Sequence, residues 1–345
     1  MVQHFSPASF PPYAERGYFP KCLAISACPA AGPRPRPRSA LIKTMAMSLM
    51  ALWAMAIGFS NARAQEIEPR GYTNAPVGVN FLIVGYAYSK GALSSDPSLP
   101  LTDPELETSN AVLAYARALD LWGKSGKFDL VLPYTWLSGT AELDSQPIER
   151  NVDGIGDCKV RIAVNLYGSP ALRLKEFANY KQDLIVGVSL QVTAPTGQYD
   201  DSRLINISSH RWAFKPEVGI SKAVGAWTME LAAAATLFTD NNDFYGGHTR
   251  SQEPLYAIQG HVIYSFRPSL WASVDATHFT GGQTAADGEY NDDLQQNWRM
   301  GATLALPVDR HNSIKLYASS GVSARTGNNY DLFGLAWQYR WDGGL

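Results

Sequence analysis

Charged side chains are scarce in this chain. They make up 17% of its 345 residues, and the formal net charge at pH 7 is −2, whereas soluble domains carry roughly 25% charged residues. So little net charge provides no general attraction for nucleic acid or for acidic substrates. We therefore expect no nucleic-acid partner.

Long apolar runs are also missing, with one exception near the N terminus. After residue 64, no apolar run reaches the roughly 18 residues that a membrane-spanning helix needs. This pattern excludes a protein that crosses a membrane with several helices. Any further membrane-spanning part of the chain must consist of strands.

Motifs for metal ions and cofactors are absent as well. The six histidines have no cysteine partners at zinc-binding spacing, and no glycine-rich loop joins a strand to a helix as in nucleotide sites. Two acidic stretches, 153–157 and 240–243, offer oxygen ligands for calcium, but Asp, Asn and Gly are equally typical of turns. We expect no metal ion and no cofactor.

The three cysteines do not form a disulfide scaffold. Cys22 and Cys28 lie in a region that we expect to be removed, which leaves Cys158 alone. Because Val160 and Ile162 share its face, we interpret Cys158 as a small apolar side chain on a lipid-facing surface rather than as a reactive thiol.

The N-terminal 64 residues resemble a leader in composition. Residues 1–40 are rich in Pro and Arg, and an apolar run at 45–59 follows a basic residue. An A-x-A cleavage site at 62–64 completes the pattern of a secretory signal peptide. A single membrane anchor is the alternative, although the run is short for one. We predict that residues 1–64 are a leader plus signal peptide, and that 65–345 form one exported domain.

Alternation of apolar and polar residues recurs through this domain. Between Leu184 and Ala194 every second residue is apolar, and Ile185 is the one apolar residue on the other face. A period of two is the signature of a β-strand with one apolar and one polar face. We predict twelve strands, which begin near the following residues: Val79, Thr108, Lys127, Cys158, Asp183, Arg211, Trp227, Tyr256, Leu270, Trp298, Ile314 and Phe333.

Connections between these strands alternate between long and short. Residues 91–104 and 139–156 are predicted to be long loops, whereas 123–126 and 224–226 are tight turns. The connection 168–182 breaks this alternation of lengths, because it is long where a short turn is expected. An even number of antiparallel strands closes into a barrel without free edges.

Tyr and Trp concentrate near the predicted strand ends, as they do at membrane interfaces. The set includes Trp122, Trp227 and Trp271. We predict an all-β fold, namely a transmembrane antiparallel up-and-down β-barrel of about twelve strands with short periplasmic turns and longer extracellular loops. A soluble β-sandwich would share the alternation but gives less reason for this placement of aromatic residues.

Several short motifs, in this order and spacing, resemble one known family. They are Gly154-Ile155-Gly156-Asp157, Ala194-Pro195-Thr196-Gly197, Lys215-Pro216-Glu217, Gly281-Gly282, Asn297-Trp298-Arg299-Met300-Gly301 and Trp337-Gln338-Tyr339-Arg340-Trp341. The family is the "MetA-pathway of phenol degradation" family of outer-membrane transporters. The resemblance covers nearly all of residues 75–345. It implies a Gram-negative outer-membrane barrel, a transport role sometimes associated with breakdown of aromatic compounds, and no catalytic residues.

Polar side chains on the inward face define a candidate lumen lining. Bases outnumber acids among them, which favours anionic or polar solutes; alternatively, the charges pair across strands and plug the barrel. The set comprises Lys159, Arg161, Asn165, Gln191, Arg211, Lys215, Glu217, Glu230, Gln259, His261, Asp275, Asn297, Arg299, Lys315 and Arg340.

A Ser/His/Asp grouping can be drawn from Ser273, His261 and Asp275 on neighbouring strands. Barrel enzymes that hydrolyse lipids need such a group on the lipid-facing wall, and the alternation directs these residues inward. We therefore expect no catalytic residue and no enzyme.

Together these patterns predict a passive outer-membrane channel for small hydrophobic or aromatic solutes. The alternative is a structural or surface-interaction barrel with a plugged lumen. The expected partners are outer-membrane lipid, the barrel-assembly machinery and small-molecule solutes. The final residue, Leu345, is not the aromatic residue that usually ends such barrels, and the sequence leaves the oligomeric state open.

Overall fold

Antiparallel strands form most of the chain, because alternation gives each strand one face for lipid and one for the interior. The structure is a computed structural model that describes residues 68–92, 101–143, 146–325 and 329–344. The predicted leader and signal peptide lie outside these described residues.

Seventeen strands, one short α-helix and one 3-10 turn (Tyr245–Gly247) occur in the described residues. In chain order the strands are β1 (Val79–Ala92), β2 (Leu101–Leu121), β3 (Lys124–Leu143), β4 (Gln146–Ile155), β5 (Cys158–Tyr167), β6 (Leu184–Ala194), β7 (Ala213–Val224), β8 (Trp227–Phe238), β9 (Asn241–Phe244), β10 (His248–Gln252), β11 (Leu255–Arg267), β12 (Leu270–Gly281), β13 (Thr284–Ala286), β14 (Glu289–Tyr290), β15 (Gln295–Pro307), β16 (Asn312–Ala324) and β17 (Asn329–Asp342). The helix, α1, is Leu174–Phe177.

Thirteen of these strands form the barrel wall. β4 and β5 are two halves of one wall strand, because both pair with β3, one above the other. The wall therefore has twelve strand positions within the described residues. β1 pairs antiparallel with β17 from Val79 opposite Asp342 to Ala92 opposite Asn329, which closes the barrel. The prediction of a closed up-and-down barrel of about twelve strands is confirmed.

The two faces of the wall have opposite chemistry. On β8 the side chain of Leu231 is 56% exposed on the outer surface, whereas Glu230 beside it is 8% exposed inside. Similar apolar side chains cover the outer surface of the other wall strands: Val84, Leu113, Leu132, Ile162, Val218, Ile258, Val274, Leu316 and Leu335. A continuous apolar band of this kind is the lipid-facing surface of a membrane barrel.

Aromatic side chains pair at both ends of the apolar band. Beside the short turns, Trp227 packs edge-on against Tyr264 with ring centres 4.8 Å apart. At the long-loop end, Tyr134 and Trp136 have ring centres 4.8 Å apart. Such belts mark the two membrane interfaces. Trp271 departs from the prediction, because its ring faces inward.

The extracellular side has more strands than the sequence predicts. The predicted loop 139–156 is instead a hairpin, in which β3 continues to Leu143 and β4 runs from Gln146 to Ile155. β9, β10, β13 and β14 form a separate four-stranded sheet from the connections that follow β8 and β12. These strands have two to five residues and few apolar side chains, so the sequence has no alternation that reveals them.

The unusually long connection 168–182 contains α1 and touches the residues before β1. The Asn74 amide Nδ2 donates to the Pro170 carbonyl oxygen over 3.1 Å, and the Val77 amide donates to the Leu172 carbonyl oxygen over 2.9 Å. These contacts give the extra length a structural role. Across the described part of the chain, no helix is long and apolar enough to cross a bilayer.

Candidate solute pathway

Residues 68–78, which precede β1, run into the interior of the barrel, and we call them the lumen segment. The carbonyl oxygen of Tyr72 accepts a hydrogen bond from Asn165 Nδ2 of β5 over 3.0 Å. On another side of the wall, Arg70 Nη2 donates to Ser265 Oγ of β11 over 2.7 Å. The lumen segment therefore lies across the interior of the barrel.

The Tyr72 ring occupies a niche made by two glycines. Gly187 of β6 and Gly219 of β7 lie opposite each other in the sheet. A Cβ atom at Gly187 would be 2.4 Å from Tyr72 Cδ1, and one at Gly219 would be 2.1 Å from Tyr72 Cε2. The Tyr72 hydroxyl then donates to Glu217 Oε1 over 2.8 Å. Only glycine at both positions leaves room for this ring.

The same ring explains the one break in the alternation of β6. Ile185 faces inward, is fully buried, and packs with Tyr72 and Ala232 in one apolar cluster. An apolar residue is stable on this otherwise polar face because the lumen segment covers it. Contact with the lumen segment therefore explains why the sequence has an apolar residue at Ile185.

Glu68 anchors the start of the lumen segment among basic side chains. Its Oε2 atom is 3.0 Å from Arg161 Nη1. Withdrawal from bulk solvent raises the pKa of Glu68, but four surrounding cations outweigh this effect and lower the pKa from 4.5 to about 2. In order of strength, these cations are Lys127, Arg161, Lys315 and Lys215.

Acidification should weaken the hold on the lumen segment. The bound pKa of Glu68 lies below its free value, so its contribution is complete above pH 4.5 and is lost as the pH falls toward about 2. We expect the single-channel conductance in planar bilayers to rise reversibly over this range. Glu68→Gln should lack this component of the pH response; a pH profile identical to that of the unmodified chain would contradict the anchoring role.

Arg70 joins the lumen segment to β8 and β12. Its backbone amide donates to Glu230 Oε2 over 2.7 Å, and its guanidinium carbon lies 4.8 Å from the centre of the Trp271 ring. The inward position of Trp271 therefore serves the lumen segment rather than the membrane interface. Sequence reasoning missed Glu68, Arg70 and Tyr72, because they belong to no periodic element.

Most of the predicted lumen residues surround the lumen segment. Nine of the fifteen border the internal cavities next to it: Lys159, Arg161, Asn165, Gln191, Lys215, Glu217, Glu230, Gln259 and His261. The structure thus brings these side chains together around one space. A role for them in solute passage stays a prediction.

The other predicted residues brace the wall or its ends. Arg299 is fully buried, its guanidinium carbon is 3.5 Å from the centre of the Tyr330 ring, and its Nη2 donates to Ser319 Oγ over 2.8 Å. Arg340 Nε donates to the Arg310 carbonyl oxygen over 2.7 Å at a short turn.

Three more of the predicted residues have comparable positions. Arg211 donates to Gln252 above β7, Lys315 lies 5.9 Å from the centre of the Tyr317 ring, and Asn297 Oδ1 accepts from the Arg325 amide over 3.1 Å. Arg211 and Asn297 hold parts of the wall and the outer loops together, whereas Lys315 is also one of the cations that act on Glu68. None of the three borders the internal cavities described above.

Ser273, His261 and Asp275 meet inside the barrel, but not in the order of a catalytic relay. His261 Nδ1 is 2.7 Å from Asp275 Oδ1, and Ser273 Oγ donates to Asp275 Oδ2 over 3.1 Å. In a serine hydrolase, the serine donates to the histidine instead. All three side chains are buried, so the arrangement is a polar network that joins β11 to β12.

Asp275→Ala should destabilise the barrel by about 1–3 kcal/mol, because it leaves the buried His261 and Ser273 without their acceptor. Urea unfolding in lipid vesicles, followed by the gel shift between folded and unfolded barrel, measures this loss. Ser273→Ala removes only one donor and should cost less. Equal losses for the two variants would show that Asp275 is not the centre of the network.

The acidic stretches that could suggest calcium are used within loops. Asp157 Oδ1 accepts from the Gly197 amide over 3.0 Å and from Ser208 Oγ over 2.6 Å, and Asp157 Oδ2 accepts from the Ser209 amide over 3.0 Å. Its oxygens are therefore committed to fixing the loop after β6. Among the described residues, no cluster of three or more His, Cys, Asp or Glu side chains could hold a metal ion.

A cavity of about 150 Å³ lies on the extracellular side of Tyr72, and we call it the outer cavity. β5 and β7 contribute Lys159 and Lys215 to one wall of it. β8, β11 and β12 contribute apolar side chains to the other wall, among them Ala234, Ala257 and Phe279. The outer cavity therefore offers both a charged and an apolar surface to a small molecule.

The closed twelve-position wall, the apolar outer band, the two aromatic belts and the polar interior define an outer-membrane β-barrel. Residues 98–339, well over half of the chain, match the sequence profile of a family described as "Putative MetA-pathway of phenol degradation". The chain belongs to this family, as the motifs in its sequence predict.

A solved structure shares the fold. The COG4313 outer membrane channel from Pseudomonas putida F1 superimposes with a TM-score of 0.68 at 21% identity, covering 80% of this chain and all (100%) of that chain. The transport unit of the autotransporter AIDA-I from Escherichia coli gives a TM-score of 0.47 at 7% identity, covering 86% of this chain and 97% of that one. A search of curated proteins finds no match. At these identities the likeness concerns the fold alone.

Proposed function

We propose that this protein is a passive outer-membrane channel for small hydrophobic or aromatic solutes. The observation that carries the proposal is the interior itself, where the outer cavity combines polar and apolar walls and an irregular segment, not a wall strand, obstructs the path. A segment held mainly by hydrogen bonds and ion pairs can move without breaking the barrel wall. The outer membrane has no ion gradient to couple to, so transport is passive.

The family and the fold support this proposal. The family name refers to phenol degradation, and the barrel from Pseudomonas putida F1 is described as an outer membrane channel. Under the proposal, residues 1–64 direct export, the barrel-assembly machinery inserts the mature domain, and aromatic solutes enter from the extracellular side.

Uptake of labelled single-ring aromatic compounds by cells tests the function. Cells that lack the protein should take up these compounds more slowly than cells complemented with the full chain. Complementation with Ala234→Trp, which fills the outer cavity, should not restore uptake, provided that the variant reaches the outer membrane in normal amounts. Equal uptake by the deletion strain and the complemented strain would refute the proposal.

A plugged structural barrel is the second candidate, and the lumen segment is the observation that favours it. If the lumen segment never leaves, solutes cannot pass, and the outer loops become the functional surface. Uptake that is unaffected by deletion, together with normal folding of the barrel, would support this alternative.

A further inference from the structure

The side chain of Tyr72, held inside the barrel, is chemically a small phenol. From its Cβ atom outward it has the atoms of 4-methylphenol, namely a methyl-type carbon, a ring and a hydroxyl group. The lumen segment that carries it lies in turns and irregular structure, not in a wall strand. The contacts of the ring are therefore contacts that a free phenol of the same size reproduces.

The barrel wall is shaped to receive this ring. Cross-strand register places Gly187 of β6 beside Gly219 of β7, and Gly219 beside Ala232 of β8. Glycine inside a strand often marks a place where a ligand or another chain segment approaches closely. Ile185 packs on the ring together with Ala232. We call the surface formed by Ile185, Gly187, Gly219 and Ala232 the ring niche.

The hydroxyl end of the ring niche has a fixed acceptor. Glu217 Oε1 accepts from the Tyr72 hydroxyl over 2.8 Å, whereas Arg161 Nη2, 3.7 Å from the same oxygen, is beyond hydrogen-bond distance. Glu217 Oε2 accepts from Gln259 over 3.2 Å and lies 3.6 Å from Lys215 Nζ. These neighbours keep the carboxylate in place if Tyr72 moves away. A carboxylate can only accept hydrogen bonds, so Oε1 selects a ligand with an O–H donor.

The outer cavity gives a solute access to the same acceptor. Its volume of about 150 Å³ is that of a cavity that holds benzene. A smaller cavity of about 30 Å³ lies beside Tyr72. Five residues border both cavities: Gln191, Lys215, Glu217, Ala232 and Gln259. A single-ring solute in the outer cavity is therefore next to the carboxylate and to one apolar side chain that hold Tyr72.

We infer that the ring niche is a binding site for single-ring phenols, and that Tyr72 occupies it as a tethered competitor. An incoming phenol donates its hydroxyl to Glu217 and displaces Tyr72. One hydrogen bond from a phenol hydroxyl replaces another, so the exchange leaves no buried acceptor unpaired. This inference rests on the proposed function and deepens it, because it names a solute class and a site that loosens the lumen segment.

The variant Tyr72→Ala empties the ring niche and provides the direct test. The ligands are 4-methylphenol and 4-methylanisole, which keeps the ring but lacks the O–H donor. Calorimetric titration of the full chain in lipid nanodiscs, with empty nanodiscs subtracted, measures their binding. Because the acceptor is charged, Tyr72→Ala should bind 4-methylphenol at least about tenfold more tightly than 4-methylanisole. The unmodified chain should bind 4-methylphenol more weakly than Tyr72→Ala does, because its ring niche is already occupied.

Further variants assign the binding to the ring niche. Gly219→Val, added to Tyr72→Ala, fills the ring niche and should abolish binding of 4-methylphenol. Gly260→Val is the matched control and should leave binding unchanged, because a Cβ atom at Gly260 meets only a backbone oxygen at 3.8 Å. Glu217→Gln should reduce the preference for 4-methylphenol over 4-methylanisole several-fold, because a neutral acceptor forms a weaker hydrogen bond.

Displacement of Tyr72 is tested in the unmodified chain, which also keeps the inference falsifiable if Tyr72→Ala does not fold. Saturating 4-methylphenol should raise the single-channel conductance in planar bilayers to the level of Gly219→Val, and 4-methylanisole should not. Gly219→Val itself should show no response to 4-methylphenol. A conductance that responds equally to both compounds, or to neither, contradicts the displacement.

Equal affinities of Tyr72→Ala for the two compounds, or undiminished binding after Gly219→Val, would overturn the inference. The binding result is independent of transport. If 4-methylphenol binds as expected but cells show no uptake, the channel proposal fails and the site remains. If cells take up aromatic compounds but 4-methylphenol does not bind, the site fails and the channel remains.

Discussion

Removal of residues 68–75 should raise the single-channel conductance several-fold while the barrel stays folded. These residues contribute Glu68, Arg70 and Tyr72, whose side chains cross the lumen, but none of the strand pairs that close the wall. Val77 and Gly78 are retained, because their amides donate to Leu172 and Ala118 and fix the start of β1. Planar-bilayer recordings at neutral pH measure the change.

A point substitution tests the same feature without shortening the chain. Gly219→Val places side-chain atoms where the Tyr72 ring lies and should displace the lumen segment, with a partial rise in conductance. Gly260→Val is the control, because a Cβ atom at Gly260 meets only a backbone oxygen at 3.8 Å. If the deletion leaves the conductance unchanged, the lumen segment does not obstruct the pathway.

Val188→Lys should destabilise the folded barrel by about 2–4 kcal/mol, the cost of a lysine on the lipid face near the bilayer centre. Val188 is central in β6 and lies between Val164 and Val218 of the neighbouring strands, and Val218 is 48% exposed on the outer surface. Urea unfolding in vesicles, followed by tryptophan fluorescence, measures the loss.

Gln259→Lys is the matched control for a charge inside the barrel. Gln259 borders the outer cavity, and its amide already donates to Glu217 over 3.2 Å. A lysine there retains a donor for Glu217 and faces water, so the free energy of unfolding should change by less than about 1 kcal/mol. Equal destabilisation by the two lysines would mean that the inward and outward faces are wrongly assigned.

The wall was predictable because lipid imposes a strict pattern on it. Within the membrane each strand must present apolar residues outward at every second position, as in Leu184 to Ala194. Above the membrane no face of a strand has to be apolar for contact with lipid, and this constraint disappears. The hairpin of β3 and β4 was therefore predicted as a loop, and the four-stranded outer sheet was missed.

The candidate site was predictable only in part, for a related reason. Alternation assigns Lys159, Lys215 and Glu217 to the inward face, and the structure places them beside the same cavity. The alternation gives no information on which inward residues meet across the lumen, nor on the nonperiodic residues before β1. Asp275 and Arg299 share the inward pattern, yet they serve packing within the wall.

The sequence by itself determined the class of this protein: strands with one apolar face, an even strand number and aromatic belts. Each of these features is a local property of the chain, set by contact with lipid or water. Only the closed barrel determines which side chains meet in the interior. Closure brings Tyr72 to Glu217 across 145 residues and onto two glycines of different strands. Such contacts depend on the three-dimensional curvature of the wall, and no period in the sequence encodes them.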